Sequence, residues 1–226
     1  MALRYAAILV AFVSLGCTYA PPIRGSLGGA PGRLKAEETE VTVAGSYFQA
    51  PPSIAAHVGH AVDDRLGVDV NAEYMHESSV MVSGGPRFTG RSRHGNAELV
   101  GDLEAGLGAG VGGSLCRLEP STGLIADNVC NYDGRAWFER PAGGGYGGLG
   151  GAVYRRWFAF YARVRTQVSA ARGVPVTGWF GGAMGPQFQI GRTYVHTGYV
   201  PTAYVNADER FLVHGWELGV TVKFGS

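Results

Sequence analysis

The feature that most constrains this chain is a period-two alternation of apolar and polar residues over long stretches, the pattern of strands with one apolar and one polar face. In 66–75, Leu66, Val68, Val70, Ala72 and Tyr74 fall on one side and Gly67, Asp69, Asn71, Glu73 and Met75 on the other. In 97–111, Ala97, Leu99, Leu103, Ala105, Leu107, Ala109 and Val111 face away from Glu98, Asp102, Glu104 and three glycines. In 157–168, Phe158, Phe160, Ala162, Val164 and Val168 oppose Tyr161, Arg163, Arg165 and Gln167. In 176–190, Val176, Phe180, Met184, Phe188 and Ile190 oppose Thr177, Trp179, Gln187 and Gln189. The run 97–111 is long for a globular strand, where about five or six residues are usual.

After residue 16 no stretch approaches the roughly 18 consecutive apolar residues of a membrane helix, so any membrane crossing must be made of strands. Glycine supplies 37 residues, but it sits inside apolar alternation, which argues against collagen and against a linker over most of the chain. Charged residues make up 16% and the net charge is +1, against roughly 25% charged in an ordinary soluble domain. No nucleic acid or other highly charged partner is implied. The length suits one barrel domain.

Arg4 and the apolar run Tyr5–Val13 have the charge and length of an export signal, too short to span as a helix. Ser14-Leu15-Gly16-Cys17 follows. This run resembles the lipobox of bacterial lipoproteins, with Ser14 and Leu15 in the reverse of the family's order. The resemblance implies that signal peptide 1–16 is removed and that Cys17 is acylated. Thr18, where Asp would mark inner-membrane retention, further implies the outer membrane. A cut after Thr18-Tyr19-Ala20 is the alternative, and it would leave Pro21 just past the cut. In an exported chain, Cys116 and Cys130 are most simply a disulfide. Residues 17–40, rich in Pro and Gly without apolar periodicity, read as an extended tether.

Residues 41–226 read as the barrel domain. Its last run sets Trp216, Leu218, Val220, Val222 and Phe224 against Glu217, Gly219, Thr221 and Lys223. Glu217, Gly219, Val222 and Phe224 resemble the C-terminal signature of bacterial outer-membrane barrels, with Gly225-Ser226 trailing it. The likeness is to small barrels of the OmpA and OmpX kind. It implies an all-β fold, a closed antiparallel up-and-down transmembrane β-barrel in the cell outer membrane. Outer-membrane lipid then surrounds it, and the barrel assembly machinery is its partner during biogenesis.

Eight runs count as strands: 41–49, 65–76, 97–113, 145–154, 157–168, 176–190, 193–204 and 211–224. An even number puts both termini on the periplasmic side. The connection 76–95 is too long for a periplasmic turn. A further strand at Val80–Ser83 or Arg135–Glu139 would make ten.

With apolar faces outward, Asp69, Glu73, Glu98, Asp102 and Glu104 from early strands and Arg163, Arg165 and Lys223 from late ones face the lumen. Eight strands leave a lumen just wide enough for side chains, so the expectation is a plug of paired charges rather than a conducting ring. The reading is an outer-membrane barrel lipoprotein with a structural or surface-interaction role, more an interaction protein than an enzyme. Alternatives are a narrow pore, a lipid-modifying outer-membrane enzyme, and a soluble ligand-binding barrel of lipocalin type. In the last, Asp102, Glu104, Arg163 and Arg165 would point to solvent. No catalytic, cofactor or metal set is expected. His57, His60 and Asp64 have helical spacing but read as a loop, and His76-Glu77-Ser78 has the spacing of a deacylase-barrel motif without its flanking residues. GxSxG, HExxH, Walker and dinucleotide motifs are absent.

Overall fold

The computed structural model describes residues 19–26, 28–32, 34–48, 53–76, 78–113, 140–207 and 210–225. Ten strands form: β1 (Thr39–Phe48), β2 (Ser53–Ala61), β3 (Leu66–Met75), β4 (Ser79–His94), β5 (Ala97–Gly112), β6 (Pro141–Arg155), β7 (Phe158–Ala171), β8 (Val174–Ile190), β9 (Thr193–Val205) and β10 (Arg210–Phe224). Each pairs antiparallel with its chain neighbours. β1 also pairs with β10, from Thr39↔Phe224 to Phe48↔Gly215, so the sheet closes and no edge is left to be satisfied by water.

Ten strands correct the count of eight. β2 escapes the alternation because Ala55 and Ala61 face in while Ala56 faces out, and His57 and His60 fall on opposite faces. β4 escapes because Gly84-Gly85-Pro86 reads as a turn. In the barrel Pro86 stands opposite Val68 of β3, and the pairing with β5 passes from Gly84↔Leu107 to Arg87↔Glu104 without it. The run Val80–Ser83 falls within β4, and Arg135–Glu139 lies outside the described residues.

The alternation itself holds. Along β7, Phe160, Val164 and Val168 are exposed while Tyr161, Arg163, Arg165 and Gln167 are buried. Leu103, Leu107, Phe180 and Leu218 are likewise exposed. Asp102, Glu104, Arg163 and Arg165 point into the lumen, so the lipocalin arrangement, with apolar faces inward, is not the one formed.

The two mouths differ. At the turn mouth the connections are 62–65, 95–96, 156–157 and 191–192, with Gly95, Arg156 and Gly191 at the positive φ that two-residue hairpins need. At the loop mouth they are 49–52, 76–78, 113–140, 172–173 and 206–209.

Within the stretch read as a tether, the described residues of 19–34 run inside the barrel. They enter the lumen at the loop mouth, where Tyr19 packs on Trp179 and Tyr204, and leave at the turn mouth, where Glu37 N donates to Ala61 O. Ala20, Pro21, Ile23 and Pro31 are among the most buried residues of the chain.

Candidate functional site: the occupied lumen

A backbone threaded through a barrel has no neighbouring strand to pair with, yet its polar groups still need partners away from water. Wall side chains supply them. Near the loop mouth Thr177 Oγ1 accepts from Ala20 N at 3.0 Å, and Trp179 Nε1 donates to Ala20 O at 3.1 Å. Gln167 serves Arg24 twice, accepting from its N–H at 2.8 Å and donating to its carbonyl at 2.8 Å. The Glu73 carboxylate accepts from Gly25 N at 2.7 Å and Ser26 N at 3.1 Å, and Arg165 donates to Ser26 O at 2.7 Å. Further down, Gln187 Oε1 accepts from Ala30 N at 3.0 Å, Tyr154 donates to Pro31 O at 2.7 Å, and Arg91 donates to Leu34 O.

The composition of the segment suits this path. Pro21, Pro22 and Pro31 bring no N–H that would need an acceptor. A Cβ at Gly25 would stand 2.5 Å from Glu73 Oε1, and one at Gly29 2.6 Å from Gln187 Oε1.

Among the described residues, three charge clusters lie inside. In the first, Arg163 meets Asp102 at 2.7 Å and Glu104 at 3.5 Å, while Arg165 meets Glu104 at 2.6 Å. Arg24, from the threaded segment, adds a contact to Glu104 at 3.4 Å and lies over the Tyr146 ring. Asp102 and Glu104 of β5 thus meet Arg163 and Arg165 of β7 across the glycines of β6. In the second cluster Arg87 meets Glu40 at 2.8 Å and Asp69 at 3.6 Å, with His57 3.4 Å from Asp69. In the third, His196 Nε2 and Glu217 Oε1 are 3.2 Å apart, both side chains fully buried.

Other sequence-derived residues fall elsewhere. Glu73 faces the lumen but accepts peptide N–H groups in place of a cation. Glu98 and Lys223 line a cavity at the turn mouth with Lys35 and Arg91, and Lys223 lies 4.6 Å from the centre of the Tyr194 ring. Gly219 stands opposite His196 in the β9–β10 register, and a Cβ there would strike the imidazole. Val222 is half-buried, and Phe224 is exposed at the end of β10. His57 and His60 are split between the two faces of a strand; His60 Nδ1 contacts Thr39 Oγ1 at 2.9 Å, and Asp64 accepts from Ala36 N. His76 contacts the Tyr74 hydroxyl, Ser78 is buried, and Glu77 lies outside the described residues. Cys17, Cys116 and Cys130 also lie outside them.

Arg24, Glu40, His57, Arg87 and His196 are among the lumen residues that alternation misses. Arg87 belongs to the unrecognised β4 and Arg24 to a segment without periodicity. The space left among the segment, Glu40, Asn71 and Arg87 is about 40 Å³, room for a few waters.

No family model matches the chain, and no curated protein does. Among solved structures it is similar to the N-terminal β-barrel domain of Pseudomonas aeruginosa OprF (10% identity, 84% of this chain and 100% of that one, TM-score 0.37). It is similar also to Acinetobacter baumannii Omp33 (9% identity, 85% and 100%, TM-score 0.36) and to Ail, the attachment invasion locus protein of Yersinia pestis (12% identity, 84% and 99%, TM-score 0.28). At such scores the likeness assigns no residue and no activity to this chain.

Proposed function

We propose that this chain is an outer-membrane β-barrel that does not conduct, held shut by its own residues 19–34, and that it works through its loop face as a structural or surface-interaction protein. The outward belt supports the membrane assignment. Leu103, Leu107, Phe180 and Leu218 would cost solubility if they met water, and in lipid they are the expected outer face of a barrel. Aromatic residues flank the belt near both mouths, with Trp157 stacked on Phe188 at one and Tyr47 and Tyr74 exposed at the other.

The observation that carries the closed state is the segment itself, with about 40 Å³ left beside it. Reconstitution into planar bilayers tests it. The expected result is a silent membrane from protein whose mobility on gels is heat-modifiable, as for a folded barrel. Steady ion flow through the unaltered chain would favour the narrow pore instead.

Acylation of Cys17 belongs to the same reading. A fatty-acid analogue fed to cells should label the unaltered protein and not Cys17→Ala. A disulfide between Cys116 and Cys130 would brace the long loop; free thiols in protein purified without reductant would remove that brace from the proposal.

A further inference from the structure

Contacts at both ends fix the direction in which residues 19–34 run. Tyr19 packs edge-on against Trp179, ring centroids 5.3 Å apart, and lies 5.4 Å from Tyr204. Trp179 stands near the start of β8 and Tyr204 near the end of β9, beside the connections 172–173 and 206–209. At the far end Ala36 N donates to Asp64 Oδ1 and Glu37 N to Ala61 O, beside the connection 62–65. Tyr19 is thus at the opposite mouth from the start of β1 and the end of β10. The lengths agree. Extended at about 3.3 Å per residue, the stretch from Tyr19 to Leu34 reaches about 50 Å, and a strand like the 15-residue β6, tilted by about 40°, rises about 38 Å.

In outer-membrane barrels short turns mark the periplasmic mouth and longer connections the cell-surface mouth. The long connection 113–140 is at the mouth that holds Tyr19. We propose that the barrel closes around its own leading segment and delivers the chain ahead of Tyr19 to the cell surface, opposite in sidedness to the start of β1 and to the C-terminus. This rests on the outer-membrane reading. An acyl group on Cys17 then inserts in the surface leaflet, because two residues reach only about 7 Å and the apolar band is about 25 Å tall. Anchoring in the periplasmic leaflet would require the segment to be withdrawn, leaving Gln167, Glu73 and Arg165 without the backbone groups they now bind. Those partners come from β3 and from β7, on separate arcs of the wall, so they converge on the segment only once the β1–β10 seam has closed.

Three epitope tags, each in a separate full-length chain, test the sidedness: one between Thr18 and Tyr19, one at Gly173 and one after Ser226. Antibody is added to intact cells and to cells with a permeabilised outer membrane. The first two tags should be accessible on intact cells and the third only after permeabilisation. A hidden first tag beside an accessible tag at Gly173 overturns the inference; a hidden tag at Gly173 overturns the membrane orientation on which it rests. Because a cut after Ala20 would remove the first tag, a covalent trap is read alongside. A Cβ at Gly108 would lie 2.5 Å from Ile23 Cγ2, so Ile23→Cys with Gly108→Cys, in a chain carrying Cys116→Ser and Cys130→Ser, should form a disulfide. A heat-modifiable barrel with both thiols free would show that the segment is not threaded, and the inference would fall with it.

Discussion

Arg163 shows what a buried charge does here. It sits in a low-dielectric lumen between Asp102 and Glu104, and its removal leaves Asp102 uncompensated. Arg163→Ala should lower stability by about 3 to 5 kcal/mol, read as a fall in the urea midpoint of folded protein. Gly219 acts by absence, since its missing Cβ makes the space that the His196 ring occupies. Gly219→Leu should therefore reduce folded yield sharply, and adding His196→Ala should restore part of it; no restoration would mean that recognition of the C-terminal signature, not the lumen, requires the glycine. At the turn mouth, hydrogen bonds from the Arg65 and Leu66 backbone N–H groups hold the Asp63 carboxyl below its ordinary value. A lowered folded value stabilises the turn fully above the ordinary aspartate range, and this is lost as pH falls through the folded value. Asp63→Asn should remove that dependence, seen as acid-insensitive amide exchange protection of Leu66 relative to the unaltered chain.

Among the elements, the threaded segment and the last strand divide the work. The segment depends on Arg24, whose guanidinium reaches Glu104 across the lumen. Arg24→Glu places like charges together and should drive the segment out. The wall left behind carries buried Glu40, Asp69, Glu73, Asp102, Glu104 and Glu217 against Arg87, Arg163 and Arg165, so the resulting conductance should favour cations. A folded, silent Arg24→Glu protein would assign closure to the wall alone. β10 closes the sheet through its ladder with β1, beginning at Thr39↔Phe224. Deleting Phe224 to Ser226 should leave protein in the periplasm or degraded, as followed by fractionation and heat-modifiability.

For the whole molecule, closure and occupancy are one problem. A ten-strand barrel is wider than the eight-strand one expected from the alternation, because diameter grows with strand number. Paired wall charges alone suit the narrower lumen; the wider one is filled by an added chain. The segment occupies the extra width and supplies Arg24 to a wall whose buried described residues include more acids than bases. This arrangement places the outward apolar belt and the buried polar interior in one closed body.

Residues such as Phe160, Arg163, Val164 and Arg165 announce their own faces, because the strand period is two and one side turns outward while the other meets the lumen. The barrel class and the outward belt were legible for that reason; which acid meets which arginine is set by the register across β5, β6 and β7. β2 and β4 were not, since alanines and histidines on both faces, or Gly84-Gly85-Pro86 in the middle, erase the contrast that alternation needs. The segment 19–34 was the least legible. Proline and glycine without periodicity describe a solvated tether and a threaded plug equally well, and what separates the two is whether water or Gln167, Glu73 and Arg165 satisfy the backbone. Those partners lie far away in the chain and meet the segment only when the barrel has closed, so tertiary structure alone decides that this chain fills itself.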